Sequence, residues 1–189
     1  TPLGKVSWSE GSIAILIGRP AWRIELSRPD GFVRSSLALR TDSTVIIRDA
    51  DATGSLEGLA SVLPLYGTTG NVTVRIEELI LREGKFAHIK GRIVIDQLIT
   101  NALKSGDLGA VAIEFPGDES DPLAGVLSAV DGPLQIRDGQ IRLTPEGSYE
   151  IEGRVAATQD APREIVDALQ FLGRPDSEGY RLFSQAGSF

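Results

Sequence analysis

Apolar and polar residues alternate along most of the chain, and turn residues interrupt the alternation about every 8–12 residues. In segment 22–27, for example, Trp, Ile and Leu alternate with Arg, Glu and Ser. A period of two places successive side chains on opposite faces of a strand. The pattern therefore predicts a mainly β fold: a curved antiparallel β-meander sheet of about ten or more strands with one or two short helices.

Several segments carry this pattern clearly enough to be predicted as strands: 5–9, 22–27, 37–39, 44–48, 71–82, 86–96, 110–115 and 179–189. In the longest, 71–82, the apolar positions change parity at Glu77–Glu78. This change predicts either a β-bulge, which shifts the facing set by one residue, or partial cover on both faces. We expect turns at 29–31 and at Gly84, a loop at 116–122, and a short helix or a loop over 97–105.

The pair Asp138–Gly139 is a favoured two-residue hairpin loop and predicts a turn between two strands. A turn at this point would pair Ile136 with Ile141 and Leu134 with Leu143. These apolar side chains would then share one face of the sheet.

The next turn predicted along the chain is a three-residue loop, Pro145–Gly147, with the glycine left-handed. This loop sets Leu143 opposite Tyr149 and Ile141 opposite Ile151, so the apolar side chains stay on one face. A two-residue loop would instead set a glutamate opposite Leu143.

Two segments follow a helical period instead. Residues 55–63 carry leucines three and four positions apart and are followed by Pro64, which predicts one or two turns of helix. A second helix is predicted after Asp160 as N-cap, with Pro162 in its first turn and Gly173 and Pro175 ending it. Its apolar stripe is Ile165, Val166, Leu169 and Leu172.

Composition narrows the classes of function. With 189 residues, 41% of them hydrophobic, the chain is expected to form a single domain over residues 1–189. Its net charge of −7 argues against a nucleic-acid binder, which normally carries a basic surface. The sequence has no Cys and a single His, so it excludes thiolate zinc sites, disulfides, Cys nucleophiles and two-His metal sites. We expect no cofactor.

The longest wholly apolar run, Ile13–Ile17, is only five residues, whereas a membrane-spanning helix needs about 20. The chain contains no Met and begins at Thr1. We therefore expect it to be a processed or trimmed product, whose preceding residues could include a membrane anchor.

The residues that could perform chemistry do not form a recognised catalytic pattern. His88 stands in a predicted strand without a Ser or Asp at catalytic spacing, and we interpret it as solvent-facing. The segment 67–70 lacks the Lys of a phosphate loop and is interpreted as a turn entering a strand. The carboxylates considered for a metal or glycosidase site are Asp49, Asp51, Glu77, Glu78, Asp118, Glu119 and Asp121. Segment 118–121 lacks the oxygen spacing and the closing Glu of an EF-hand loop, and we interpret it as a solvated acidic loop. Because no nucleophile–base pair stands out either, we predict that the protein is not an enzyme.

The end of the chain carries a series of motifs in a specific order. Segment 168–176 reads ALQFLGRPD and is followed by Gly-Tyr-Arg-Leu at 179–182 and a late glycine. With the Gly-Lys-Val-Ser-Trp opening at 4–8, this order resembles the type II secretion system protein N (general secretion pathway protein N) family. The residues that carry the C-terminal resemblance are Leu169, Leu172, Gly173, Pro175, Asp176, Gly179, Tyr180 and Gly187.

The resemblance implies a periplasmic domain tethered to the inner membrane of a Gram-negative bacterium by one N-terminal helix, which residues 1–189 do not contain. It implies an accessory role in protein secretion, with other inner-membrane subunits of the machinery as partners. It supplies no catalytic residues. An alternative hypothesis from the sheet itself is a lipid carrier, because a curved sheet with an apolar inner face resembles the grooves of envelope lipid transporters.

Overall fold

The structure, a computed structural model, describes residues 5–10, 21–28, 31–59, 67–100, 106–118 and 122–188. Within these residues, eleven strands form one antiparallel sheet in which every strand pairs with its neighbours in sequence. The sheet is curved and open: the first and last strands do not pair with each other in the described part of the chain. The predicted meander is confirmed.

The strands are β1 (Lys5–Glu10), β2 (Ala21–Arg28), β3 (Gly31–Leu39), β4 (Thr44–Ser55), β5 (Thr68–Arg82), β6 (Lys85–Thr100), β7 (Ala110–Pro116), β8 (Leu123–Asp131), β9 (Leu134–Leu143), β10 (Ser148–Ala157) and β11 (Arg181–Ser188). The helices are α1 (Leu56–Leu59) and α2 (Arg163–Leu169), and α2 continues into the 3₁₀ turn Gln170–Leu172. The predicted strand-length run Ile13–Ile17, the first two residues of the turn at 29–31, and segments 60–66, 101–105 and 119–121 lie outside the described residues.

One face of the sheet, called here the inner face, carries the hydrophobic core. Six of its side chains are buried and in mutual contact: Ile76, Ile89, Phe115, Leu123, Ile141 and Leu143. They come from strands β5 to β9, so the core joins strands that are not neighbours in the sheet and is formed by the curvature of the sheet. Burial of apolar surface stabilises the fold by roughly 25 cal/mol per Å², so this cluster contributes to its stability.

The sheet curls over this core at one end only, where the N–H of Phe86 in β6 donates to the oxygen of Pro145 at 2.9 Å and Lys85 pairs with Glu146 at 3.0 Å. The chain exposes 12142 Å² of surface, whereas a compact monomer of its mass exposes about 8,800 Å². Many inner-face residues next to the core, such as Val74, Ile93 and Ile113, are only partly buried. The fold is therefore largely a single curved layer with an unusually large surface.

The change of parity in β5 has the predicted cause. The register between β5 and β6 shifts between Ile76 and Glu78, and both Ile76 and Leu79 consequently face the core. In the paired strand β4, Asp49 adopts a positive φ of 50° at the same level. Ile46, on the opposite face, is also buried, so both faces are covered here as well.

The predicted hairpin at Asp138–Gly139 is wrong. Both residues lie inside the continuous strand β9, where they form a bulge opposite β10. Asp138 has a φ of 51°, because the left-handed conformation that Asp-Gly favours serves a bulge as well as a turn. The chain turns earlier, between Asp131 and Leu134, and β9 pairs with β8, the strand that precedes this turn.

Because the chain does not turn here, the predicted pairs Ile136–Ile141 and Leu134–Leu143 lie within one strand, and Ile136 instead pairs with Val155 and Leu134 with Ala157. The prediction for the following turn is confirmed: Leu143 lies opposite Tyr149, Ile141 lies opposite Ile151, and the φ of Gly147 is 88°.

The second helix begins later than predicted. Its N-cap is Pro162, without a side-chain capping hydrogen bond, so the prediction of Asp160 as N-cap is wrong. Gly173, with a φ of 101°, follows the 3₁₀ turn as expected for a stop signal. Only Ile165 and Leu169 of the predicted stripe are buried. Segment 97–100 is neither helix nor loop, because β6 continues to Thr100.

Glycines allow aromatic rings of neighbouring strands to lie flat on the sheet. A Cβ atom at Gly187 would lie 2.5 Å from Tyr149 Oη, and one at Gly153 would lie 2.9 Å from Phe183 Cζ. Such a ring covers the backbone that a glycine leaves bare, a device known from β-sheet design. The late glycine of the sequence motif thus makes room for a specific side chain.

Gly91 in β6 offers a direct test of these close approaches. Its φ is 156°, and an added Cβ would lie 2.4 Å from the backbone oxygen of Arg75 and 2.7 Å from Ile76 Cα. We predict that Gly91→Ala lowers the free energy of unfolding by about 2–4 kcal/mol, measured by urea denaturation. The matched control is Gly54→Ala, whose added Cβ meets nothing within 4 Å. A Gly91→Ala variant as stable as the control would contradict the packing described for β5 and β6.

Candidate functional site: the C-terminal corner

The residues that carry the C-terminal motifs come together where α2 and the following loop return to the edge of the sheet. We call this region, formed by α2, residues 170–180, and the adjoining parts of β9, β10 and β11, the C-terminal corner. Gly187 is the exception, because it lies further along β11 beside Tyr149. The remaining motif residues are Leu169, Leu172, Gly173, Pro175, Asp176, Gly179 and Tyr180.

Tyr180 is the buried centre of the corner, with only 6% of its surface exposed. Its hydroxyl donates a hydrogen bond of 2.9 Å to Gln135 Oε1 in β9. The guanidinium groups of Arg137 and Arg154 lie 4.7 Å and 5.8 Å from the centroid of its ring. Both distances are within the range of cation–π attraction. The ring is thus fixed both at its hydroxyl and on its face.

Arg154 joins three segments of the chain through its guanidinium. Its Nε donates to Asp138 Oδ2 at 2.8 Å, and its Nη1 lies 3.0 Å from Asp176 Oδ2 and 3.2 Å from Glu178 Oε2. Glu178 also pairs with Arg137 at 3.2 Å. Hydrogen bonds to Asp138 and then Asp176 raise the pKa of Arg154 above its ordinary value. The Arg154 cluster is this group of five charged residues together with Tyr180.

Asp176 organises the loop that precedes β11. Its Oδ1 accepts hydrogen bonds of 2.9 Å from the backbone N–H groups of Glu178 and Tyr180. Gly179 completes the turn with a φ of 88°. Partial burial raises the pKa of Asp176, but the N–H of Tyr180, the guanidinium of Arg154 and the N–H of Glu178 outweigh it. The pKa of Asp176 is therefore below its ordinary value.

The start of the loop is tied to β11 as well. Arg181 Nε donates to the backbone oxygen of Gly173 at 3.0 Å. Leu169 is buried, whereas Leu172 is exposed and its neighbour Phe171 is 94% exposed. Pro175 is exposed too. The motif residues therefore differ in their surroundings: some hold the loop in place, and others stand at its surface.

The residues first considered for catalysis are dispersed or engaged in ion pairs. His88 is half-buried rather than solvent-facing, and its Nε2 lies 3.8 Å from Glu78 Oε2. Glu77 accepts from Lys90 at 2.6 Å, beside an open cleft of about 640 Å³ that Asp49 and Asp51 also line. Glu119 and Asp121 lie outside the described residues, and Asp118 is exposed. Among the described residues, no group of three His, Asp or Glu side chains could hold a metal ion. The predicted turn at 67–70 is shorter than expected: Gly67 is a turn residue, and β5 already begins at Thr68.

The sequence pattern did not predict the two arginines of the Arg154 cluster. Arg137 and Arg154 are direct partners across β9 and β10, with the bulge beside them. Their pairing depends on that bulge, and the hairpin predicted at the same place does not include this pairing.

The family model described as "Type II secretion system (T2SS), protein N" matches residues 1–183. No curated protein and no solved structure matches the chain. Within the described residues, none of the helices is both long enough and apolar enough to cross a membrane.

The environment of Asp176 predicts a pH-dependent contribution to stability. A carboxyl group whose pKa is lower in the folded state stabilises that state above its unfolded pKa of about 3.9. The contribution is lost as the pH falls through the folded-state value. We predict that Asp176→Asn lowers the thermal unfolding midpoint by a few degrees at pH 7, and that this difference shrinks below about pH 4.

The control is Asp118→Asn, at an exposed position outside the corner. The measurement is thermal unfolding followed by circular dichroism between pH 3 and pH 7, a range chosen around the carboxyl pKa of roughly 4. A difference between wild type and Asp176→Asn that is independent of pH would contradict the ionic role of this carboxylate.

Proposed function

The chain belongs to the type II secretion system protein N family, and from this membership we propose that it is a non-enzymatic assembly domain of the secretion machinery. In this proposal the domain stands on the periplasmic side of the inner membrane, where an anchor outside residues 1–189 tethers it. Its partners are other inner-membrane subunits of the same machinery.

The observation that carries the proposal is the open single-layer sheet. The exposed surface of 12142 Å² is well above the area of a compact monomer of this mass. In the described part of the chain, β1 and β11 each pair with a strand on one side only. Unpaired strand edges can accept a strand from a partner, and a large surface offers several contacts at once.

The ionisable groups also favour binding over catalysis. The acidic side chains around the cleft beside Glu77 and in the Arg154 cluster are largely matched by basic partners, at 2.6 Å for Lys90 and 2.8 Å for Arg154. A general acid or base instead needs a perturbed pKa and access to a substrate. Paired side chains of this kind hold a surface in a fixed form for recognition.

The proposal predicts direct binding between this domain and its neighbours in the machinery. Purified residues 1–189, immobilised on a sensor, should give saturable binding with the purified periplasmic region of at least one inner-membrane subunit. A sensor surface without the domain provides the control for nonspecific adhesion. Absence of binding to every such subunit at high micromolar concentration would contradict the proposal.

A second candidate function is lipid binding, and the partial exposure of the inner face favours it. Val74, Ile93 and Ile113 lie side by side across three strands, and all are only partly buried beside the core. A continuous apolar strip of this kind could bind an acyl chain.

This second function predicts that phospholipid co-purifies with the domain. Native mass spectrometry should then detect about one lipid per chain, and Ile93→Gln should reduce that occupancy by polarising the strip. Leu39→Gln, at an exposed site in β3, is the control. A domain that carries no lipid after expression in the envelope would contradict this function.

A further inference from the structure

The last strand, β11, has one edge that pairs with no other strand in the described part of the chain. Its opposite edge pairs with β10 over eight consecutive residues without a bulge. Arg181, at the start of β11, is tied to the preceding loop through its bond to the oxygen of Gly173. The free edge is therefore segment 182–188, a row of backbone N–H and C=O groups of the kind that binds another extended strand.

This edge lacks the features that protect most edge strands. Such strands are usually short, bulged or covered, or they carry Lys or Pro. Segment 182–188 reads LFSQAGS, with no charged residue and no proline. Register shifts interrupt four other ladders of the sheet, whereas the ladder of β10 with β11 is continuous. The other edge strand, β1, has a charged residue at each end. The edge of β11 is thus the one that the sequence leaves open to pairing.

The absence of charge also determines which strand fits beside this edge. A charged side chain placed opposite an uncharged one loses solvation and gains no partner. An uncharged strand is therefore the best match, and segment 182–188 of a second copy is such a strand.

Antiparallel pairing of two copies of β11 also matches the sizes of their side chains. The two-fold axis of such a pair is perpendicular to the sheet, so opposite residues lie on the same face and are an even number of positions apart in sequence. In a register centred on Gln185, the two glutamine amides meet at the axis, where each can donate to the other. The other opposite pairs each contain a small residue: Phe183 with Gly187, Ser184 with Ala186, and Leu182 with Ser188.

We propose that the free edge of β11 is a self-association site, through which two copies of this chain form an antiparallel dimer with one continuous sheet. This inference goes beyond the proposed function in secretion assembly and does not depend on it. Each copy contributes the same segment, 182–188, so the contact is closed in the dimer and does not propagate. The backbone hydrogen bonds give affinity, and the side-chain pairs fix the register.

The first test measures the mass of residues 1–189 by light scattering and sedimentation equilibrium, from low to high micromolar concentration. We predict that the mass rises from the 20.2 kDa of one chain to twice that value. Added salt should strengthen the dimer, because it screens the repulsion between two chains of charge −7 while the interface itself is uncharged.

Two results of this test would overturn the proposal. One is a monomer at every concentration. The other is a series of species larger than a dimer that grow with concentration, as expected if β11 paired with β1 of the next copy.

The second test introduces charge at the two-fold axis. Gln185→Lys sets two like charges opposite each other and should raise the dissociation constant of the dimer at least about ten-fold, and so should Gln185→Glu. An equimolar mixture of the two variants should restore the dimer, because a lysine then lies opposite a glutamate. Rescue of this kind cannot come from a variant that has merely failed to fold.

The matched control is Gln170→Lys, which adds the same charge at an exposed position in the 3₁₀ turn and should leave the dissociation constant unchanged. Circular dichroism checks that each variant is folded. A dimer weakened equally by Gln170→Lys and Gln185→Lys, or a mixture that stays monomeric, would contradict pairing through β11. Either failure leaves the proposed function intact, because binding to other subunits is measured separately.

Discussion

Contacts between apolar side chains on the inner face hold the centre of this sheet together, and they require that strands β5 to β9 each present apolar residues to that face. The alternation of apolar and polar residues is interrupted twice, in β5 and in β9, and each interruption would turn apolar side chains to the other face. The register shift at Ile76–Glu78 restores the apolar inner face in β5, and the bulge at Asp138–Gly139 accommodates a local change in β9. Ile76 and Leu79, of opposite parity, consequently both pack on the core. The bulges are thus part of what lets a single layer retain one hydrophobic side.

The same reasoning explains what the sequence could predict and what it could not. Alternation is local, so it indicated the meander, the parity change in β5 and the pairing of Leu143 with Tyr149. The Asp-Gly signal is also local, but its left-handed conformation suits a turn and a bulge equally. Asp138 and Gly139 form a bulge rather than a turn because β8 is an additional strand that pairs with β9. A turn wrongly predicted at Asp138 therefore gives wrong partners to the residues before it in β9, including Arg137, the partner of Arg154.

At the candidate site, the order of motifs located the loop but not its contacts. Asp176 and Gly179 form a turn that short-range signals favour, and their hydrogen bonds are local. The hydrogen bond from Tyr180 to Gln135 and the stacking of two arginines join residues that are far apart in sequence. No spacing rule encodes such contacts, because they exist only once three strands are in register.

The corner contains two kinds of residue: those that fix its geometry and those that the fold leaves exposed. Its geometry comes from buried or paired groups: the ring of Tyr180, the guanidinium of Arg154 and the carboxylate of Asp176. Its exposed apolar groups contribute little to that geometry, and Phe171 gains almost nothing from folding when 94% of its surface stays in water. A side chain that the fold does not need for its own stability can be free to serve an interface. In a sheet with few buried side chains, this division explains how the corner can be held in place and still leave a large aromatic ring exposed.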